Sequence, residues 1–564
     1  MPPRSASRSS AAAPKIAPAA PPPRWLRFAV LALAALAMAG YFAIPVNNPD
    51  AWWHLATGRY IWLQHKLPVP DPFAWTTYLH GAAFPGEGMA RDFNLTHEWL
   101  AQIVFYLAYA VGGFGGLVLL RCLLLVGFCG TAGLVVWRRT GGFYRSVGAA
   151  LLAASIAVRF AQDRPFLITF LFLAVLMALV EYRRWLWAIP ILFVVWANCH
   201  GGFFMGWVVL GAYCAEALFL RWRGKPVAGE RTLYLVTGAS ILASGLNPNG
   251  FNAIAVLLSY RQSKMQMSLW EWHRPALFPL EAFGVVLFAA IATLAWANRR
   301  VRAVDLILFV VFAASAMTAV RNVILVALIG PIIVATYFPW KRALPAAAQY
   351  LVAALLLAAS VAELATHTGF QFRADDYLYP AGAADFMLAH HIAGPILNTY
   401  EFGGYLIWRL WPEQKVFIDG RALSETVFND YERMIYNADA TGGPSGAELL
   451  DRYGIQTIVM EGFEYTSGDV YLLPVALSDP AGKEWKLVYR DAQAVIFMRN
   501  PPADAPPLNS LEGLVGLEME CQTHIQNNAA QSGCARSLAD MFQKIGDRAR
   551  ARQWMAYYQE HAAP

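Results

Sequence analysis

The chain has 564 residues, 57% of them hydrophobic and 15% charged, with 20 Trp, 24 Tyr and 33 Phe and a formal net charge of +6. Soluble domains carry about 25% charged residues. This composition therefore excludes a soluble enzyme, a disordered scaffold and a coiled coil, and it predicts a polytopic α-helical membrane protein with an aqueous appendage. The positive charge is assigned to cytoplasmic loops, with no nucleic acid as partner. Cys122, Cys129, Cys199, Cys214, Cys521 and Cys534 lack zinc spacing, and the first four fall in apolar runs as small core residues.

Residues 1–23 are rich in Ala, Pro and Ser and are predicted to be a disordered cytoplasmic tail. Arg24 and Arg27 open an apolar run to Pro45 that is read as a retained first helix, because no A-x-A cleavage site follows. A long first outer loop then spans 46–114. In it, DAWWHLATGRYIWLQ (50–64) places Trp53, Ala56, Tyr60 and Leu63 on one stripe, which predicts an amphipathic helix lying in the membrane interface. HEWLAQIVFYLAYAVGG (97–113) reads as a second such element, with Thr96 as its N-cap. Further apolar runs follow at 115–137, 145–161, 165–180, 186–197, 203–220, 231–246, 281–297, 303–317, 322–338 and 347–365. The transmembrane part, 24–366, then has about 11 crossings, by length of apolar run.

Basic residues set the orientation. Loops 1–27, 138–145, 181–185, 221–231, 298–302 and 339–346 hold 19 Lys and Arg. The opposite loops hold about half as many in about twice the length, so the first set is cytoplasmic. The N-terminus is inside and the C-terminus outside, provided 97–111 does not cross on its own.

Beyond residue 366 the composition turns soluble. PILNTY, KVFIDGR, IQTIVMEG, WKLVYRD and AVIFMRN read as strands, with GGYLIWRLW, SETVFNDYERMIYNA and GAELLDRYG as helices between them. This predicts an extracytoplasmic α/β domain over 367–505. After the hinge NPPADAPP comes a helical tail, 506–564, in which LADMFQKIGDRARARQWMAYYQEH resembles one tetratricopeptide-type hairpin and offers a surface to a protein partner. Cys521 and Cys534 are placed to pair if the compartment is oxidising.

With this topology the polar outliers share the outer face. They are Asp50 and His54; Asp71, Asp92, His97 and Glu98; Asp163 and Arg164; Asn198 and His200; Asn247 and Asn249; Glu271, His273 and Arg274; and Arg321 and Asn322. Ionisable residues at membrane depth are expensive and tend to be functional. Acids and cations from separate loops on one surface suit an anionic, lipid-linked substrate. The plainer readings are helix caps for Asp50 and Asp163, a first-turn dipole contact for Glu98, an interfacial anchor for Arg321 and a turn for Asp419 in FIDGR.

NPDAWWHLATG, HEWLAQ, DRPFLIT, WANCHGGF, LNPNG and FIDGR together resemble a bacterial group of GT-C fold glycosyltransferases, membrane enzymes that use polyprenyl-phosphate sugars; the resemblance covers about 25–500. EFGGYLIW is similar to the acceptor-binding W-W-D-Y-G element of oligosaccharyltransferases, but its tryptophans and Asp are absent, so sequon recognition does not carry over. The resemblance implies an enzyme of the bacterial inner membrane that moves a hexosyl or pentosyl group to an envelope glycan, lipid or protein. It implies Asp50 as general base in an inverting attack, and Asp163 as a second acid binding sugar, acceptor or cation. Glu98 joins them as a third candidate. Arg164, Arg274 and Arg321 are the candidates for the leaving phosphate, by bidentate guanidinium pairing. His54, His97 and His200 would orient carboxylates or donate to phosphate. No cofactor is required by the sequence; Mn²⁺ or Mg²⁺ on Asp50, Asp163, Glu98 and a histidine is an option, although the first outer loop lacks D-x-D. A transporter or flippase, and a non-catalytic assembly protein of a polysaccharide system, are the alternatives.

Overall fold

The computed structural model describes residues 23–265, 269–297, 301–339, 344–392, 394–464 and 466–561. The segment read as a disordered tail lies, up to residue 22, outside these, as do 298–300 and 340–343 of two basic loops.

Each of the eleven apolar runs falls in a helix. Among the described residues, six helical segments are long and apolar enough to cross a membrane: Arg24–Phe42, Glu87–Thr140, Phe143–Phe160, Gly201–Trp222, Val320–Tyr337 and Ala346–Ala365. Phe166–Tyr182, Leu186–Cys199, Ala282–Ala297 and Ala303–Ala316 are shorter and equally apolar. Side chains such as Leu123, Val310 and Leu355 stay exposed on them, as contact with lipid requires. This is a multi-pass membrane protein.

Two expectations in the first outer loop are corrected. Residues Asp50–Gln64 do form a helix, but Ala51–Gly58 are all buried, so it is not an interfacial helix. It is packed between the helices Trp99–Thr140 and Tyr400–Leu410, and Trp52 meets Phe114, Tyr379 and Tyr405 edge-on. An apolar stripe fits a bilayer surface and a protein neighbour equally well, and here protein covers the helix as far as Ile61, leaving Trp62 and Leu63 exposed at its end. Thr96 is not an N-cap. It ends the helix Glu87–Thr96, and its hydroxyl donates to the Asp92 carbonyl at 2.6 Å. The 97–113 element begins the helix Trp99–Thr140, which breaks at Gly113 (φ 57°, ψ −145°).

One end of the bundle holds an ion network that the sequence disguised as loop charge. Arg139 pairs with Glu181 at 3.1 Å and with Asp305 at 3.0 Å, while Arg302 pairs with Glu181 and Glu216, each at 2.8 Å. Arg139 and Asp305 are nearly enclosed, so these ions brace helix ends rather than face a membrane surface.

The soluble part is built on a four-stranded sheet of order β1-β2-β4-β3, with β1 Ile396–Asn398, β2 Thr457–Met460, β3 Lys486–Arg490 and β4 Val495–Met498. β1 and β2 are parallel, as helices between them return the chain, and the other pairings are antiparallel. KVFIDGR, expected as a strand, makes only a bridge from Val416 to Ala74 and otherwise runs as an irregular segment. The helices Glu512–Asn527, Gly533–Lys544 and Arg548–His561 follow, and Cys521 and Cys534 are joined in a disulfide.

Candidate active site

The helix Asp50–Gln64 begins where Asn48 Oδ1 accepts the backbone N–H of Asp50 at 2.9 Å. The Asp50 carboxylate accepts from Trp53 Nε1 at 2.9 Å, one turn on, and pairs with Arg164 at 3.3 Å. Arg164 also reaches Glu271 at 3.5 Å, and Glu271 reaches Arg321 at 3.3 Å. Arg321 lies 4.7 Å over the Trp272 ring. Four separate loops thus supply one chain of alternating charge, Asp50–Arg164–Glu271–Arg321, partly open to solvent. Burial pushes the Asp50 carboxyl above the usual carboxylate range, against the pull of Arg164 and the Trp53 bond. Burial acts on Glu271 in the same sense, but Arg321 and Arg164 hold it below its ordinary value.

His54 stands one turn after Asp50, on the same helix face. It belongs to a second cluster around Glu98. His97 Nε2 lies 3.4 Å from Glu98 Oε1, His200 Nε2 3.7 Å from the same oxygen, and His54 Nδ1 3.7 Å from Oε2. The hydrogen bonds fix two tautomers. His200 Nδ1 accepts from the Gly202 N–H at 3.0 Å and meets the Thr169 hydroxyl at 2.9 Å, so its proton sits on Nε2, facing Glu98. His97 Nδ1 must donate to the Phe93 carbonyl at 2.8 Å, so a proton between Nε2 and Glu98 is needed for that contact to attract. The Glu98 carboxylate thus faces three imidazoles, two on Oε1 and one on Oε2. Burial lowers His54 and His200 to about 3, which keeps both neutral at physiological pH.

The Asn residues act as scaffolding. Asn198 accepts from Trp99 Nε1 at 2.7 Å and donates to the Val194 and Leu246 carbonyls, and Asn249 Nδ2 donates to Thr96 at 2.9 Å. Both pin the elbow that carries His97 and Glu98. The soluble domain closes the other side. Arg421 is buried between Asp71 at 2.8 Å and Asp419 at 2.7 Å, which ties the first outer loop to FIDGR. Asp419 is therefore a brace. Gly404, on the helix Tyr400–Leu410, lets that helix approach the turn before Asp50: a Cβ there would come within 2.8 Å of the Pro49 carbonyl.

Two expected site residues are not in this assembly. Asp163 is buried against Arg121 at 2.8 Å, and Arg121 also donates to the Ala161 carbonyl at 3.0 Å. Arg121 lies inside the apolar run 115–137, so its ion pair had no signal in the sequence. Arg274 is exposed and forms no ion pair among the described residues. With Asp163 turned to Arg121, the ligand set Asp50, Asp163 and Glu98 is not assembled, and no group of three or more His, Cys, Asp or Glu is arranged to hold a metal among the described residues. Glu271, an outlier without an assigned role, is the residue sequence reasoning missed: it links the two guanidiniums.

No family model and no curated protein matches the chain. Solved structures do. The apo oligosaccharyltransferase of Archaeoglobus fulgidus is 10% identical over 96% of this chain and 87% of that one, with a TM-score of 0.55. The same organism's AglB, in complex with an inhibitory peptide and a dolichol-phosphate, is 11% identical over 95% and 86%, at 0.54. ArnT from Cupriavidus metallidurans bound to undecaprenyl phosphate is 14% identical over 86% and 99%, at 0.46, too low to bear on the fold. The chain shares its fold with these archaeal oligosaccharyltransferase structures.

Proposed function

We propose that the protein is a membrane glycosyltransferase that moves a sugar from a polyprenyl-phosphate donor to an envelope glycan, lipid or protein on the outer face of a bacterial inner membrane. The reading takes the N-terminus as inside, as the distribution of basic residues favours, so that the Asp50 cluster, after the first crossing, lies on that face. The observation that carries the reading is Asp50 beside Arg164, with Arg321 joined to Arg164 through Glu271. A base and two phosphate-binding groups then lie side by side.

In the transfer, an acceptor hydroxyl attacks the anomeric carbon and its proton passes to the Asp50 carboxylate. The bond from that carbon to the phosphate oxygen breaks, and the polyprenyl phosphate leaves with the electron pair. The raised Asp50 carboxyl makes a stronger base than an exposed one. Arg164 and Arg321 take the developing phosphate charge, a contribution on the order of 10²–10³ in rate for one such donor. Without donor, Glu271 occupies both guanidiniums, so the phosphate displaces a carboxylate. The Glu98–histidine cluster positions the neighbouring helix start and supplies donors at the edge of the site. The tail helices offer a surface to a protein partner.

The test is binding of sugar-free polyprenyl phosphate to the purified full chain, followed by native mass spectrometry. Arg164→Gln and Arg321→Gln should each weaken binding at least tenfold, with Asp50→Asn retaining it. Undiminished binding in both arginine variants would refute the phosphate assignment.

A further inference from the structure

Two hairpin turns lie at the end of the bundle that carries the network of Arg139, Glu181 and Asp305. The turn 183–185 follows the helix Phe166–Tyr182, and the loop 223–229 joins the helix Phe204–Trp222 to the helix Glu230–Ala243. They touch: Arg183 Nη1 donates to the Ala228 carbonyl. Glu181 is held in the ion network, and Glu230 pairs with Arg221 at 3.0 Å. Arg183, Arg184, Arg223 and Lys225 are exposed and have no carboxylate partner among the described residues. Like charges on touching loops repel each other, and an anion between them relieves that. The helix Phe166–Tyr182 has 17 residues, which separates this patch from Arg164 by about 25 Å along the axis. The patch is therefore distinct from the Asp50 site.

The first turn is also strained. Arg183 (φ 52°) and Trp185 (φ 56°) both take the left-handed conformation that residues other than glycine avoid. The Arg183 side chain is fixed by Ala228, but the Trp185 indole is 79% exposed, so the turn holds it out rather than folding it onto the bundle. Trp187 and Trp222, on the flanking elements, are exposed with it. Indole side chains collect at the boundary between lipid headgroups and hydrocarbon. The apolar surface begins close by. The helices Ile189–Cys199 and Glu230–Ala243 pack on each other, and within their first two turns they expose Ile191 and Leu235.

We propose that the two hairpin turns together bind the headgroup of an acidic phospholipid from the leaflet at this end of the bundle. Arg184 and Arg223 take the phosphate, and the acyl chains run past Ile191 and Leu235. Guanidinium groups suit the task because each offers phosphate two parallel hydrogen bonds, while Lys225 adds a point charge. Basic patches between membrane helices recognise acidic headgroups by this chemistry. The indoles decide for a lipid against an acidic soluble protein: a lipid covers cations and apolar side chains in one layer, and a soluble partner would have to match both. The site does not depend on the glycosyltransferase reading, which concerns the opposite end of these helices.

The test uses the purified full chain in detergent, incubated with phosphatidylglycerol, cardiolipin or phosphatidylcholine, with bound lipid counted by native mass spectrometry. Both acidic lipids should bind at least tenfold more tightly than phosphatidylcholine. Arg184→Gln combined with Arg223→Gln should lower acidic-lipid affinity on the order of tenfold, as expected for two cations at a headgroup. Arg24→Gln, in a different basic segment, should leave the preference unchanged. Nanodiscs with and without phosphatidylglycerol give a second readout on the unaltered chain: hydrogen exchange at 183–188 and 223–229 should slow when the acidic lipid is present. Equal binding of acidic and neutral lipids, an undiminished preference in the double variant, or an equal loss in Arg24→Gln would overturn the proposal. Protection of both turns only on adding a soluble cell extract would overturn it in favour of an acidic protein partner.

Discussion

Gly420 stands directly against the carboxylate of Asp50: a Cβ at Gly420 would lie 2.1 Å from Asp50 Oδ1. The contact joins FIDGR of the soluble domain to the first residue of the helix Asp50–Gln64. The segment is fixed on both sides of the glycine, because Asp419 and Arg421 share a buried ion pair at 2.7 Å. A side chain there must therefore displace Asp50 rather than the segment. Gly420→Ala should lower transfer by roughly 10²-fold, the usual cost of displacing a reacting group by about 1 Å, at a nearly unchanged melting midpoint. Steady-state rates beside a thermal melt check this, and full activity would show that Asp50 needs no such placement.

Asp163 should behave as scaffolding. Its removal strands Arg121, which is completely buried. Asp163→Asn should lose about 3–5 kcal/mol of stability, as expected when one partner of a buried pair is removed, while the folded fraction retains transfer. Asp163→Leu with Arg121→Met should recover most of the loss. A rate loss beyond a hundredfold at unchanged stability would return Asp163 to the chemistry.

The soluble domain should carry a pH signature of its own. Burial pushes the Glu401 carboxyl up to about 7, and Glu461, its hydrogen-bonded neighbour, well above its ordinary value. The folded chain then binds protons that the unfolded chain releases above the ordinary carboxyl value of 4.5. Stability from this pair is fully present below that value and is lost as the pH rises through about 7. Glu401→Gln should melt above wild type at pH 8, with the gap closing by pH 5. A gap independent of pH would mean that Glu401 is not the carboxyl that ionises near 7.

Thiol counting tests the compartment of the tail. Denatured but unreduced protein should show four reactive thiols, Cys122, Cys129, Cys199 and Cys214, and six after reduction. Six before reduction would place Cys521 and Cys534 in a reducing compartment.

The sequence was most legible where one property repeats over many residues. Runs of apolar residues marked the helices of the bundle, and composition marked the onset of the soluble part. Polar residues at helix ends were also visible one by one, and the structure brings Asp50, His54, His97, Glu98, Arg164, His200 and Arg321 to one place. Partner choice was not legible. Arg121 inside an apolar run claims Asp163, and Arg139 leaves its basic loop to join Glu181 and Asp305. The helix Asp50–Gln64 was misplaced for a related reason: its apolar stripe records that something covers it, and the cover is the helix Tyr400–Leu410, some 350 residues away. FIDGR has strand-like residues, but its conformation is set by Asp71, also far off in sequence.

The most direct test of the account is transfer itself. The purified protein, reconstituted in lipid, is incubated with a panel of radiolabelled polyprenyl-phosphate sugars and a membrane extract as acceptor source, beside Asp50→Asn. The account predicts label transferred by the wild type from one donor, with the anomeric configuration inverted, and no transfer by Asp50→Asn at equal expression and melting midpoint. Full transfer by Asp50→Asn would contradict it.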